Sequence, residues 1–252
     1  MDARTVLVTG GAKRLGAAIA RRLAAGGWRV GVHHNRSGAE AAALAAELGG
    51  AAVAGDLADE AAVGRLIADA RAALGGPVRA LVNSASLFQF DRPPAVSAEL
   101  IDRLGQVNYA APVRLACALA EQPDMDEGAV VNLLDQKVAN LNPDFFAYTG
   151  SKIALEGATR MLAQALGPAV RVNAVSPGLT LPSGDQSAAE FAVAAGKNLL
   201  RRPVGAEAVA DAVAFLPEAR GVTGQNLFVD CGQRFLTRAG DVMFEDREGP
   251  SG

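Results

Sequence analysis

The chain has 252 residues, of which half are hydrophobic and only 5% aromatic, so aliphatic side chains must fill its core. A net charge of −3 gives no electrostatic reason to expect nucleic acid or an anionic membrane surface as a partner. The two cysteines, Cys117 and Cys231, lie far apart and outside any metal-binding pattern, so reduced thiols are the simplest interpretation and one disulfide is the alternative. Without a signal-peptide pattern or a bilayer-length apolar stretch, we predict a cytoplasmic protein with neither a membrane nor a metal partner.

Short β-rich runs alternate with longer stretches of helical period along the chain. The runs predict seven strands, at Thr5–Thr9, Trp28–His33, Ala51–Ala54, Ala80–Asn83, Ala129–Leu134, Val170–Val175 and Asn226–Val229. The helical patterns lie at about Arg14–Ala25, Gly38–Leu48, Glu60–Leu74 and Ser151–Leu166. This alternation predicts one doubly wound α/β domain over residues 1–252, with a mostly parallel sheet and helices on both faces. Two segments are irregular, at about 177–200 and in the polar tail at about 239–252.

A glycine-rich segment, Thr9 to Gly16, follows the first strand and opens the first helix. Glycines such as Gly10 and Gly16 let backbone N–H groups approach a pyrophosphate, and the helix N-terminus adds a partial positive charge. A tight turn without a ligand is the alternative, but the strand–loop–helix context favours a dinucleotide site that includes Leu15.

Several short segments, in order and at matching spacing, resemble the short-chain dehydrogenase/reductase family over nearly the whole chain. They are Thr9-Gly10-x5-Gly16, Asp56-Leu57, Asn83-Ser84-Ala85, Asn108, Tyr148-x3-Lys152 and Pro177-Gly178. The resemblance implies a Rossmann-type fold, a nicotinamide cofactor, an oxidoreductase activity and a homotetramer, with the C-terminal tail reaching a neighbour's pocket. It also implies cofactor contacts from Asn83, Ser84, Ala85, Tyr148, Lys152, Pro177, Gly178 and Thr180.

The end of the second strand indicates which nicotinamide cofactor binds. NAD sites usually carry Asp or Glu there to hold the ribose 2′-hydroxyl, whereas this chain has Asn35, Arg36 and Ser37. Arg36 can bind a 2′-phosphate and Ser37 can donate a hydrogen bond to it, so we predict NADP(H) rather than a merely solvated loop arginine. Asp56, beside Leu57, is similar to the family's acceptor for the adenine amine, and it can also cap the following helix.

Tyr148 and Lys152 stand four residues apart and share one helix face. A lysine ammonium, together with an oxidised nicotinamide, would favour the phenolate and lower the pKa of Tyr148, which can then exchange a proton with the group that receives hydride. Lys152 would also hold the nicotinamide ribose. Asn108 resembles the family asparagine that carries a water-linked proton path, and Asn83 is expected to fix the backbone near the cofactor.

The family's serine, thirteen positions before the tyrosine, is replaced by Asp135. A carboxylate cannot donate a hydrogen bond to a ketone and would oppose the developing oxyanion. It suits a substrate with N–H donors, such as the 2-amino and ring N–H groups of a pterin or folate. The alternative is that Asp135 only caps a loop at the strand end.

Three further positions resemble the pteridine reductase and dihydromonapterin reductase branch of the family. Arg14 replaces the usual middle glycine of the loop and would bring its guanidinium to the cofactor pyrophosphate and the substrate pocket. Ser86 would contact the cofactor phosphate or the substrate, and Phe88 would stack on a pterin ring. We therefore predict an NADPH-dependent reductase of a small pterin-like substrate, with Tyr148 and Asp135 supplying the proton and the segment about 177–200 closing over the substrate. The alternatives are a carbonyl reductase of another substrate and an NADPH-binding scaffold without turnover.

Overall fold

Seven strands form one sheet in the computed structural model, which describes residues 4–182 and 186–245. All neighbouring strands run parallel, in the order β3-β2-β1-β4-β5-β6-β7. This confirms the predicted fold class, and the predicted strand ends differ from the observed ones by at most two residues. The strands are β1 Thr5–Val8, β2 Arg29–His34, β3 Ala51–Ala54, β4 Ala80–Asn83, β5 Gly128–Leu133, β6 Val170–Pro177 and β7 Asn226–Val229.

Eight α-helices flank the sheet in the described part of the chain: α1 Arg14–Ala25, α2 Gly38–Leu48, α3 Glu60–Leu74, α4 Ala98–Gly105, α5 Ala111–Ala120, α6 Phe146–Leu166, α7 Ala188–Ala195 and α8 Ala206–Glu218. The bounds predicted for α1, α2 and α3 are confirmed. A π-helical turn, Gln106–Ala110, joins α4 to α5. Helix α7 lies within the segment 177–200 that the sequence predicts to be irregular. Residues 183–185 of that segment and 246–252 of the tail lie outside the described residues.

Helix α6 begins at Phe146, five residues before the predicted start at Ser151, so Tyr148 lies in its first turn. Phe145, the preceding residue, has a left-handed φ of 55° and supplies no side-chain cap. Two of the first N–H groups are satisfied from a distant loop instead, because Asp91 O accepts from Phe146 N at 3.4 Å and both carboxylate oxygens of Asp91 accept from Ala147 N at 3.1 Å. A cap that lies 56 residues away gives no local signal for the start of the helix.

Two apolar layers enclose the sheet, one on each face. Helices α1 and α8 pack against one face, and α3, α5 and α6 against the other. Because both faces are covered, β1, β4 and β5 are buried along their whole length, as a central parallel strand requires. The resulting rigid layers hold the loops that follow the strands.

The carboxyl ends of all seven strands meet at one edge of the sheet. From β1 the chain builds outward to β2 and β3 on one side, and from β4 outward on the other, so a crevice opens between β1 and β4. The Thr9 hydroxyl oxygen bridges this crevice by accepting from Ser84 N and Ala85 N, both at 3.0 Å. These two hydrogen bonds fix the positions of the loops after β1 and β4 relative to each other.

Neither Cys117 nor Cys231 takes part in a disulfide. Within residues 4–182 and 186–245, none of the helices has the length and hydropathy needed to cross a membrane. The same residues contain no group of three or more His, Cys, Asp or Glu side chains that could hold a metal ion. The predicted homotetramer concerns contacts between chains and stays a prediction.

Candidate active site

The loop after β1 is shaped by glycine. Gly10 has a φ of +62°, and a Cβ at Gly16 would lie 2.1 Å from the carbonyl oxygen of Gly10, so neither position accepts a side chain without a shift of the backbone. The loop leads directly into the N-terminus of α1, whose first N–H groups carry partial positive charge. This geometry is that of a phosphate-binding loop, as the sequence predicts.

His33 braces this loop from the end of β2, a role that the sequence analysis missed. Its Nδ1 accepts from Gly10 N at 3.1 Å, and its Nε2 lies 3.1 Å from the carbonyl oxygen of Gly55. The two contacts require a neutral imidazole protonated on Nε2. Burial lowers the pKa of His33 to about 4, which keeps it in that form at neutral pH.

A cavity of about 370 Å³ lies between the loops after β1, β2, β3 and β4. Among the described residues of its lining, Asp56 is the acidic one, and its carboxylate accepts from Ala58 N at 2.9 Å in the turn before α3. The predicted helix cap is wrong for Asp56, because Asp59 caps α3 by accepting from Ala61 N at 2.9 Å. Arg103, which the sequence analysis did not select, extends into the cavity from α4. The lining includes eight predicted cofactor or substrate residues: Gly10, Asn35, Arg36, Ser37, Asp56, Leu57, Ala85 and Ser86.

Other predicted cofactor residues lie near this cavity but do not line it. Leu15 packs against the hydrophobic core at the start of α1. Asn83 Nδ2 donates to Asn132 Oδ1 at 2.8 Å inside the sheet layer, so Asn83 fixes the end of β4 rather than facing the cavity.

The loop after β6 is held by a side chain from the segment after β7. Gln233 Oε1 accepts from Leu179 N at 2.9 Å, and a Cβ at Gly178 would lie only 2.7 Å from that same oxygen. Thr180 donates to the carbonyl oxygen of Gly178 at 2.8 Å. The predicted residues Gly178 and Thr180 therefore lie in one tightly folded loop, directly after Pro177 at the end of β6.

Arg14 occupies a strained position at the start of α1. Its φ is +53°, a region that costs a non-glycine residue about 1 kcal/mol or more. Its guanidinium donates to the carbonyl oxygen of Pro182 at 2.6 Å and so connects the phosphate loop to the segment after β6. Backbone strain of this kind clusters at functional sites, and the role of the Arg14 guanidinium in binding stays a prediction.

Asp135 and Tyr148 form a hydrogen-bonded pair beyond the end of β5. The Tyr148 hydroxyl donates to Asp135 Oδ2 at 3.0 Å, while Asp135 Oδ1 accepts from Lys137 N at 2.9 Å and caps a short 3-10 turn. Asp135 therefore caps the turn and also accepts from Tyr148, while its predicted recognition of substrate N–H groups stays a prediction. The Lys152 ammonium lies 5.6 Å from the centre of the Tyr148 ring and donates to Leu133 O at 2.8 Å.

Burial dominates the protonation of this cluster. It raises the pKa of Asp135 and lowers the pKa of Lys152 to about 8. Burial and the neighbouring Asp135 carboxylate raise the pKa of Tyr148 well above its ordinary value. The expected lowering of this pKa by Lys152 and an oxidised nicotinamide is not seen in the chain alone, so Tyr148 is protonated at neutral pH and can donate.

Asn108 holds the segment after β4. Its Oδ1 accepts from Leu87 N at 2.8 Å and from the Ser86 hydroxyl at 3.2 Å, and its Nδ2 donates to Leu87 O at 2.9 Å and to the Ser151 hydroxyl at 3.1 Å. The side chain thus fixes Ser86 and Leu87 in place. The water-linked proton path predicted for Asn108 stays a prediction.

Phe88 brings an aromatic face to the catalytic pair. Its ring stacks on Phe145 at 4.2 Å and packs at right angles to the Tyr148 ring at 4.8 Å, and yet 47% of the residue is exposed. One face of Phe88 is therefore covered by Phe145, while nearly half of the residue is exposed. An exposed aromatic ring beside Tyr148 can stack on a flat heterocycle.

The chain matches known oxidoreductases over most of its length. The family model described as enoyl-(acyl carrier protein) reductase matches residues 10–234. A crystal structure titled FolM alternative dihydrofolate reductase 1 from Brucella suis, in complex with NADP, is 42% identical, with a TM-score of 0.89 over 93% of this chain and 96% of that one.

Two curated relatives have names that indicate different substrates. Dihydromonapterin reductase of an Enterobacter species is 28% identical over 91% of this chain and 96% of its own length. A putative ketoacyl reductase of granaticin polyketide synthesis from Streptomyces violaceoruber is 34% identical over 93% of this chain and 98% of its own length. The shared fold, the Tyr148–Lys152 pair and the family match together show that the chain belongs to the short-chain dehydrogenase/reductase family of oxidoreductases.

Proposed function

We propose that this protein is an NADPH-dependent reductase of a pterin, of the dihydropterin, biopterin or dihydrofolate type. The observation that carries the proposal is the Asp135–Tyr148 hydrogen bond beside the exposed ring of Phe88. It combines an acceptor for N–H groups, a protonated donor and a stacking surface. Similarity to proteins named dihydromonapterin reductase and dihydrofolate reductase supports the substrate class.

The cavity between the strand ends fits NADPH. Gly10 and the N-terminus of α1 would hold the pyrophosphate, Arg36 and Ser37 the 2′-phosphate, and Asp56 the adenine amine. When bound, the dihydronicotinamide supplies the hydride. Lys152, whose ammonium lies beside Tyr148, would hold the nicotinamide ribose next to the catalytic pair.

Asp135 would recognise the substrate, and Tyr148 would transfer a proton to it. In the chain alone, the Tyr148 hydroxyl donates to Asp135. A pterin would offer its own N–H donors to Asp135, because a carboxylate accepts two or more strong hydrogen bonds. The Tyr148 hydroxyl is then free to donate its proton to the ring nitrogen that becomes basic on reduction. Arg14, Ser86 and Phe88 would complete the slot for the ring.

Carbonyl reduction is the second candidate, because the 34% identity to a putative ketoacyl reductase and the Tyr148–Lys152 pair favour it. The Asp135 carboxylate argues against it, since a negative charge at that place opposes charge developing on a ketone oxygen. A scaffold that binds NADPH without turnover is the third outcome that an assay must distinguish.

We predict that the purified protein oxidises NADPH with dihydrobiopterin or dihydrofolate and reacts much more slowly with a panel of ketones. Steady-state rates at equal substrate concentrations measure the difference. Turnover of ketones without any pterin would contradict the proposal, and NADPH binding without turnover would favour the scaffold. Tyr148→Phe is the control, because it removes the proton but keeps the ring, and should lower kcat at least 100-fold while NADPH affinity is preserved.

Replacement of Asp135 by Ser should lower kcat/KM for the pterin about 10- to 100-fold, because charge-assisted hydrogen bonds to the substrate are lost, and should raise the rate with ketones. Steady-state kinetics with both substrate classes provide the measurement. Asp135→Asn is the matched control, because its amide oxygen can still cap Lys137 N. Equal pterin rates in Asp135→Asn and the parent would show that Asp135 only caps the turn.

Burial of the Lys152 ammonium should lower the free energy of unfolding near neutral pH, and this cost should disappear as the pH rises. Its pKa is lowered to about 8 in the folded chain, against 10.5 ordinarily, so between these values the unfolded chain binds more protons and folding becomes more favourable as pH rises. Lys152→Met should therefore exceed the parent in unfolding free energy near pH 7, by about 1–3 kcal/mol, and this advantage should shrink toward pH 10.5. Denaturant unfolding at several pH values measures it, with the exposed Lys13→Met as control. A difference that does not vary with pH would contradict the assignment.

Replacement of Arg14 by Gly should lower activity without lowering the stability of the fold. Arg14→Gly relieves the left-handed φ, so we expect the unfolding free energy to stay equal or to rise by up to about 1 kcal/mol, while the KM for the pterin or NADPH rises. Arg14→Ala, which keeps the strain but loses the guanidinium, is the matched control. If Arg14→Gly retained full activity, the guanidinium would have no part in binding.

A further inference from the structure

Lys137 is a buried lysine in the turn that follows Asp135, close to the hydrogen-bonded pair Asp135 and Tyr148. Only 3% of the Lys137 side chain is exposed, and its ammonium donates to Asn142 Oδ1 at 2.9 Å and to Asp241 Oδ2 at 3.0 Å. The ammonium lies 5.7 Å from the centre of the Phe145 ring. The backbone N–H of Lys137 donates to the Asp135 carboxylate, so the Lys137 ammonium, which is paired with Asp241, and the Asp135 carboxylate belong to the same turn.

The partner of this lysine comes from the C-terminal segment, 104 positions away. Asp241 Oδ1 accepts from Met243 N at 3.1 Å and caps a short turn, Val242–Phe244. Asp241 N donates at 2.7 Å to the carboxylate of Asp144, which is itself paired with Arg92 at 3.0 Å. Each carboxylate of this network is thus balanced by a cation, as burial requires.

The same C-terminal turn supports the aromatic wall of the site. Phe244 stacks at 5.9 Å on Phe145 and meets Phe90 edge-on at 5.3 Å. Phe145 in turn backs Phe88, and Met243 packs against the cluster that contains Tyr148. Met243 and Phe244 therefore contact their own chain's site, and the contact of the tail with a neighbour's pocket stays a prediction.

We propose that Lys137 and Asp241 form a positioning pair for the proton-transferring residues Asp135 and Tyr148, so that the C-terminal turn is an integral part of the substrate half of the site. The inference rests on the proposed function for the roles of Asp135 and Tyr148. The pair does not touch the nucleotide cavity, whose lining contains none of its residues. We therefore expect the Lys137–Asp241 pair to affect the substrate half of the site and not NADPH binding.

The charges of the pair act on Asp135 in opposite directions. The Lys137 ammonium lowers the pKa of Asp135 and the Asp241 carboxylate raises it, while Asp241 also raises the pKa of Tyr148. The other charged groups around this cluster are Lys152, Asp144 and Arg92. A variant that removes one member of the pair leaves these groups in place, so any change in the titration of Asp135 reports on the missing charge.

The proposal is tested by following the ionisation of Asp135 in the cofactor-free protein by carbon-13 NMR of the aspartate carboxyl groups. The Asp135 resonance is assigned by its loss in Asp135→Asn. We expect Asp241→Asn to move the titration midpoint to lower pH, because a neighbouring negative charge is lost. Lys137→Gln should move it to higher pH, because a neighbouring positive charge is lost. Asp59→Asn, the same change at the helix cap of α3, should leave the midpoint unmoved.

Kinetics provide the second readout. Asp241→Asn should lower kcat/KM for the dihydropterin at least about tenfold while the Kd for NADPH stays within about twofold. The double variant should lose less than the product of the two single losses, because each single variant leaves one buried charge unpaired. Midpoints that stay unmoved or move in the same direction, or losses that multiply, would overturn the positioning role. Because the NMR titration needs no substrate, a failure of pterin turnover would refute the proposed function and leave this test intact.

Discussion

The hydrogen bond from Tyr148 to Asp135 is the interaction on which the rest of the site depends. It joins the end of β5 to the first turn of α6, and it places a carboxylate where a ketone reductase needs a hydrogen-bond donor. Burial makes the carboxylate a costly group, and the fold balances that cost with the Lys137 backbone N–H and the Tyr148 hydroxyl. A site that keeps the buried Asp135 carboxylate as a hydrogen-bond acceptor, despite the cost of its burial, is suited to a substrate with its own N–H donors.

The loops around this pair are held by side chains that bond to backbone. Thr9 joins the loops after β1 and β4, His33 joins the loops after β1 and β3, Asn108 holds the segment at Ser86 and Leu87, and Gln233 holds the loop after β6. Each of these bonds fixes a connection between elements that are distant in sequence. The cofactor half of the site is therefore preorganised by the scaffold, which reduces the ordering cost of binding.

Those features that depend on local pattern could be predicted from the sequence, and those that depend on distant partners could not. The strand and helix alternation predicts the sheet, and the glycine loop and the Tyr148–Lys152 spacing predict which residues meet at its edge. The start of α6 was placed late because its cap is Asp91, and Lys137 was missed because its partner is Asp241. The pKa of Tyr148 was expected to fall beside Lys152 and an oxidised nicotinamide, whereas in the chain alone burial and Asp135 raise it.

Recognition of pterin N–H groups by Asp135 is the central claim, and one substrate comparison tests it most directly. The kcat/KM of the parent and of Asp135→Ser should be measured with a dihydropterin and with the analogue whose 2-amino group is replaced by oxygen. We predict that the parent prefers the amino compound by at least about tenfold, since a charge-assisted hydrogen bond depends on that group, and that Asp135→Ser loses this preference. An equal preference in the parent and the variant would contradict the account.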